Sequence, residues 1–395
     1  MPPSPPPEAS HRGTGRTAGL RHRLPAGGEA VEQAPGMDPT RTLLSPDGLA
    51  RRTLRRLARP VWGPVRRMLR RSGPRAGILM YHRIAEESLD PWGLCVPPDR
   101  FDEQMAVLAQ TAAAVDLAAI GDGSALDRCG RSVAVTFDDG YADNLLAALP
   151  ILEKHDVPAT FFLVSQALGS NREYWWDALM RAVLESGPLP PVLALRLGGV
   201  ERIFQLEEDH ATPAPQHPWD AEEGARSGRE RLYLGLWNAI VVLEPAEQEE
   251  AVEQVLAWAG CTPGGPPHRH AAQADAIAAL AHHPLVRIGS HTRHHVSLPD
   301  CDPRRQRAEI EGAHRELEDL LGRRIDRFAY PYGRYDRCAR EIVEALKIDL
   351  ACTTVAGLAT ACSPRSELPR LHVQPHGGEG FARWLRDEHD LLAAR

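Results

Sequence analysis

Val133-Ala134-Val135-Thr136-Phe137-Asp138-Asp139-Gly140 joins an apolar, β-branched run directly to two adjacent carboxylates and a glycine. Such a run reads as a buried strand, and the Asp-Gly step as the turn that ends it. Two ionised carboxylates side by side repel each other, and burial worsens this unless a cation or a proton compensates. On these residues alone, a functional pair and an ordinary turn with two solvated aspartates are both open readings.

The same rhythm of short apolar run and amphipathic segment extends to either side. Upstream, Gly77 to His82 reads as a strand, followed by a helix with Phe101, Met105 and Leu108 at helical spacing and a short strand over Ala113 to Leu117. Downstream, Tyr141 to His155 reads as a helix with Leu145, Leu146, Leu149 and Leu152 as its buried stripe, and Ala159 to Val164 as the next strand. From about Gly169 to His282 the rhythm breaks. The interval is proline-rich and polar near 207–230 and helical through Arg231 to Trp258, so it reads as a mainly helical insertion at about 170–283. Alternation resumes with a strand at Leu285 to Gly289 and a helix over Pro303 to Leu321. It continues with a strand at Phe328 to Tyr330, a helix over Cys338 to Leu346 and strands at Ile348 to Thr353 and Leu371 to Val373. Seven or eight such units predict an α/β fold in which parallel strands close into a (β/α) barrel, with functional groups at the strands' C-terminal ends. An open doubly wound sheet is the alternative.

The whole chain sets the bounds. Its 395 residues suffice for one large domain or two ordinary ones, and no apolar stretch is long enough to span a bilayer. Seven scattered cysteines with no Cys-x-x-Cys spacing argue against a disulfide framework and a thiolate zinc site, and suit a reducing compartment. No N-terminal stretch has the apolar core of a signal peptide, so the expected location is the cytoplasm. Residues 1–76 read as a disordered arm, with the folded domain at 77–395. Eleven Arg against two Asp between Met37 and Ala76 make that part of the arm +9, which leaves −16 of the total −7 on the rest. An acidic globular part makes nucleic acid an improbable partner. Within the arm, Leu54, Leu57, Val61, Val65, Met68 and Leu69 lie among Arg pairs. Peripheral membrane contact and a merely solvated helix are the two readings, and Pro60, Gly63 and Pro64 interrupt either.

Just past the strand that ends at Gly289 lies Ser290-His291-Thr292-Arg293-His294-His295. His291 and His295 are four apart, the spacing of one helical turn, so both imidazoles can face one point. With one carboxylate they would form an open three-ligand metal site. In a parallel barrel this cluster and the aspartate pair share one mouth.

Thr136-Phe137-Asp138-Asp139-Gly140 and His291-Thr292-Arg293-His294-His295 resemble the first two motifs of the NodB-homology polysaccharide deacetylases, and Phe328-Ala329-Tyr330-Pro331-Tyr332-Gly333 resembles the third. The resemblance implies a distorted (β/α) barrel and metal-dependent removal of an acetyl group from an acetylated sugar or polysaccharide. It implies Asp139, His291 and His295 as ligands of a divalent metal, zinc in the first place with cobalt or nickel as alternatives, and Asp138 as general base. It gives Tyr332 the oxyanion site through its backbone N–H, and His372 the role of general acid, with His82 and His294 as rivals. Two departures stand out. Ala329 occupies the position of an arginine that orients the base in many members, and the sequence around His372 matches the family's last motif poorly. A carbohydrate-binding module without activity, or another C–N metallohydrolase, is the alternative.

Overall fold

The structure, a computed structural model, describes residues 75–111, 113–126, 132–206 and 219–392. The arginine-rich arm of the sequence reading lies outside these residues, apart from its last two positions. Among the described residues no helix is long and apolar enough to cross a membrane.

Strands β1 (Arg75–Tyr81), β2 (Ser132–Phe137) and β3 (Ala159–Leu163) are buried along almost their whole length, as continuous apolar runs must be when both faces of a parallel sheet are covered. The inserted segment carries the antiparallel hairpin β4 (Val192–Leu197) and β5 (Val200–Gln205). Then follow β6 (Val286–Ser290), β7 (Arg327–Ala329), β8 (Leu350–Ala356), the short β9 (Ala359–Thr360) and β10 (Leu368–His372). Seven of these strands lie in the order β1-β2-β3-β6-β7-β8-β10, all parallel. Pairing of Leu79 with Leu371 and of Met80 with His372 closes the ring. The fold is therefore a closed parallel barrel rather than an open sheet, and closure sets the last strand beside the first.

Helices α1 (Pro98–Gln110), α2 (Leu149–His155), α3 (Trp175–Met180), α4 (Gly228–Ile240), α5 (Pro245–Trp258), α6 (Pro303–Leu321) and α7 (Arg337–Ala345) surround the barrel or build the insertion. In α1 the expected Phe101, Met105 and Leu108 face the core. Two local readings are corrected. Ala113 to Leu117 makes a single bridge, Ala114 to Val133, before a short helix begins at Leu117. Leu146, expected in the buried stripe, is 78% exposed. The chain enters α2 through a π-helical turn, Asn144–Ala148, whose extra residue rotates the following face and throws the stripe out of phase.

The insertion is less purely helical than its sequence suggested. Leu193, Leu195 and Leu197 alternate inward along β4, and Gly198-Gly199, both at positive φ, make the two-residue turn. A second core of Trp176, Leu179, Leu195, Tyr233, Leu236, Trp237 and Val255 lies beneath it. This core reaches the barrel through Tyr141 and Tyr332.

Candidate metal centre and its base

Asp138 and Asp139 follow β2 directly, His291 follows β6, and Tyr330 to Gly333 follow β7, so the three motifs meet at one mouth of the barrel. The side chains of Asp138, Asp139 and His291 are all but sealed from solvent, and His295 is 6% exposed. The Nε2 atoms of His291 and His295 lie 3.5 and 3.3 Å from Oδ1 of Asp139. One ligating atom from each of the three residues falls within 4.8 Å of the others.

Electrostatics in this cluster favour a cation. Burial pushes the imidazole of His291 down to about 4 and that of His295 to about 3, so both are neutral near neutral pH and present lone pairs. Nδ1 of His291 donates to the carbonyl oxygen of Ala329 at 2.7 Å, which fixes the tautomer with Nε2 free. Burial also pushes the Asp139 carboxyl above its ordinary value, and the Asp138 charge adds to this. Oδ1 of Asp139 is buried without a hydrogen-bond partner. A buried, unpartnered carboxylate oxygen between two neutral imidazole nitrogens fits a divalent cation with two nitrogen ligands and one oxygen ligand, leaving a position open.

The histidine spacing works otherwise than expected. Residues 291–297 form a loop, not a helical turn, and Thr292 and His295 both have positive φ, 64° and 57°. Thr292 Oγ1 accepts from the His295 N–H at 3.0 Å. Glu309, buried on α6, accepts from the backbone N–H groups of Arg293 and His294 at 3.1 and 3.0 Å and pairs with Nδ1 of His294 at 2.8 Å. That pairing ties His294 to α6. No motif in the sequence marks Glu309, because its role depends on where α6 packs.

Asp138 has a partner that sequence reasoning missed. Arg370, on β10, donates from its two terminal nitrogens to both carboxylate oxygens, at 2.7 and 2.6 Å. Its Nε donates to the Thr353 carbonyl at 2.9 Å, and one terminal nitrogen also reaches Thr136 Oγ1 at 3.2 Å. Burial alone would raise the Asp138 pKa, but the adjacent Arg370 charge outweighs it and holds the carboxyl well below the usual carboxylate range. Ala329, 0% exposed, belongs to the same interior cluster as Phe162, and the guanidinium of Arg370 lies over the Phe162 ring. A guanidinium thus reaches Asp138 from the last strand, while position 329 contributes only a methyl group.

His372 shares a face of β10 with Arg370, two residues away. Its Nε2 bonds the Gly93 carbonyl oxygen at 2.8 Å, and its ring stands edge-on to His82 at 5.9 Å. Burial lowers both pKa values, that of His82 to about 4. Tyr332, in a left-handed conformation at φ 57°, sets its ring against His295 at 4.5 Å. Of the neighbouring aromatics, Tyr174 and Trp176 are core residues. Trp175, half-buried, lines a cavity of about 470 Å³ together with Arg293 and His294.

The sequence model of the family described as "Polysaccharide deacetylase" matches residues 126–188 and 265–351, on either side of most of the insertion. The Bacillus subtilis (strain 168) protein named "Putative polysaccharide deacetylase YxkH" is 30% identical over 116 residues, covering 28% of this chain and 39% of that protein. The chain thus spans well under half of that curated relative. Among solved structures, the Streptococcus pyogenes deacetylase PplD in complex with acetate is 18% identical, with 79% of this chain and 98% of that one covered at a TM-score of 0.49. IcaB from Ammonifex degensii is also 18% identical, with 79% and 97% covered and a TM-score of 0.46.

Proposed function

We propose, from the premise that the chain belongs to the polysaccharide deacetylase family, that it hydrolyses the N-acetyl group of an acetylated amino sugar. The sugar would stand in a polysaccharide or a glycolipid precursor. The observation that carries this reading is the unpartnered Oδ1 of Asp139 facing two neutral imidazoles, next to an Asp138 held ionised. Asp139, His291 and His295 would hold the divalent cation, zinc before cobalt or nickel. When bound, the cation supplies Lewis acidity, which lowers the pKa of a water and polarises the acetyl carbonyl.

The remaining roles fall to the chain's own groups. Asp138 takes the proton of the attacking water. With both oxygens on Arg370 it is a weak base, so it works only on an acidified water, which ties the reaction to the cation. The Tyr332 backbone N–H receives the charge that develops on the carbonyl oxygen. His372 would deliver a proton to the leaving nitrogen as the C–N bond breaks, giving acetate and a free amine; burial disfavours its charged form, so this proton has to be replaced by the one the attacking water gives up to Asp138. Because Nε2 of His372 carries the hydrogen donated to Gly93, Nδ1 is the nitrogen that transfers the proton.

The test is acetate release from acetylated amino-sugar oligomers with added zinc or cobalt. The expected result is turnover by the wild type and a loss of ~100-fold or more in Asp138→Asn, with metal binding retained. One metal bound per chain but no acetate from any such substrate would overturn the function. Undiminished turnover in Asp138→Asn would overturn the assignment of the base.

A further inference from the structure

We infer that Tyr174 and Trp176, on the segment that leads from β3 into α3, are positioning residues for Asp139 and His295. The inference rests on the reading of Asp139, His291 and His295 as a metal centre. It starts from an asymmetry between the two histidines. The ring of His291 is fixed by its hydrogen bond to the Ala329 carbonyl, the usual means of orienting a ligating imidazole. His295 lacks that support, because its Nδ1 is buried with no partner. What touches the His295 ring instead is aromatic: Trp176 at 4.7 Å and Tyr332 at 4.5 Å between ring centroids.

Trp176 is itself immobilised. Its Nε1 donates to the Tyr141 hydroxyl at 2.8 Å, and that hydroxyl donates to Oδ2 of the buried Asp177 at 2.7 Å. Tyr174 stacks on Trp176 at 4.5 Å and 8°, and meets Tyr141 edge-on at 4.8 Å. From this position the Tyr174 hydroxyl donates to the main-chain carbonyl oxygen of Asp139 at 2.6 Å. The other donor to that oxygen, the Val164 N–H, is 3.4 Å away. Asp139 sits at φ 71°, a left-handed conformation that an L residue holds only when its surroundings impose it. One aromatic block after β3 therefore fixes the backbone of the carboxylate ligand and the ring of the second histidine.

Tyr174→Phe removes one hydroxyl and keeps the ring, so it separates positioning from packing. Co2+ titration of the full chain, followed by affinity and by the visible d–d spectrum, is paired with thermal unfolding of the metal-free protein. The wild type is expected to bind one Co2+ per chain, and His295→Ala to abolish it. Tyr174→Phe should bind ~10-fold more weakly or worse, with an altered d–d band and unchanged metal-free stability. Trp176→Phe, which keeps an aromatic face but loses the bond to Tyr141, should give a smaller change of the same kind. Wild-type affinity and spectrum in Tyr174→Phe would overturn the positioning role and leave the metal centre standing. Weaker binding accompanied by a clear fall in metal-free stability would make Tyr174 a general packing residue and also overturn it. No Co2+ binding by the wild type would overturn the metal centre itself, and this inference with it.

Discussion

A guanidinium that donates to both oxygens of a sealed carboxylate holds it in its charged form, and each group becomes costly without the other. Arg370 and Asp138 stand in that relation. Removing the arginine alone leaves an uncompensated charge in the barrel interior, which costs about 3–5 kcal/mol in comparable pairs. Arg370→Ala is therefore expected to unfold at distinctly lower temperature and to lose most of its turnover. Arg370→Ala combined with Asp138→Asn, which removes both charges, should recover part of the stability and none of the turnover. Calorimetry of the two variants checks this, and equal melting temperatures would contradict the pairing. The sequence showed half of the arrangement, namely the absence of an arginine at Ala329. Its replacement was hidden because Asp138 and Arg370 are 232 residues apart and meet only through barrel closure. His372 stands out in the sequence as a histidine candidate, whereas Arg370, two residues before it on the same face of β10, sits in no motif that marks it.

At the scale of elements, the loops that leave the strands do the positioning, and they do it with unusual backbone. Asp139, Thr292, His295 and Tyr332 all have positive φ without being glycine, and all four lie at the barrel mouth. Gly140 and Gly333 take the neighbouring positions where no side chain fits: a Cβ on Gly140 would come within 2.7 Å of the Leu163 side chain, and one on Gly333 within 2.6 Å of the Thr354 backbone nitrogen. The second contact is with backbone and cannot be relieved by a rotamer change, so Gly333→Ala must shift the β7 loop and Tyr332 with it. That variant is expected to lose at least ~10-fold in kcat and, because the Tyr332 ring also packs on His295, a distinctly smaller factor in metal affinity. Kinetics set beside metal titration would show it, and an equal loss of metal affinity would argue against the oxyanion role. Strands and long helices were legible because apolar runs and helical stripes record burial directly. The loop conformations were not, because a His-x-x-x-His spacing suits a helical turn and a left-handed loop equally well. The β4–β5 hairpin was missed although Leu193, Leu195 and Leu197 alternate ahead of a Gly-Gly turn, a signal the surrounding helical pattern obscured.

On the scale of the whole molecule, barrel closure gathers ionisable groups into a space from which water is excluded, and this must show in the pH dependence of stability. His82, His291 and His295 have an ordinary imidazole value of 6.5 when exposed and values of about 4, 4 and 3 in the fold. Between pH 6.5 and about 4 the unfolded chain therefore binds more protons at these sites than the folded one, so stability falls as pH falls through that window. Asp177 acts in the opposite sense. Burial raises its carboxyl from 3.8 to about 7, so the folded chain holds an extra proton there between those values, and its contribution grows as pH falls. The metal-free protein is expected to lose melting temperature from pH 6.5 to 4, because the depressed imidazoles, His314 and His372 among them, outweigh the raised carboxyls of Asp90, Asp139, Asp143 and Asp177. In Asp177→Asn its opposing contribution is gone while the Tyr141 hydroxyl keeps an acceptor, so the loss over the same window should be larger than in the wild type. Melting curves of the two proteins in metal-free buffers from pH 4 to 8 make the comparison. Parallel curves would show that Asp177 titrates as an ordinary carboxyl, and a wild-type curve flat from 6.5 to 4 would show that the three histidines are not held neutral by burial.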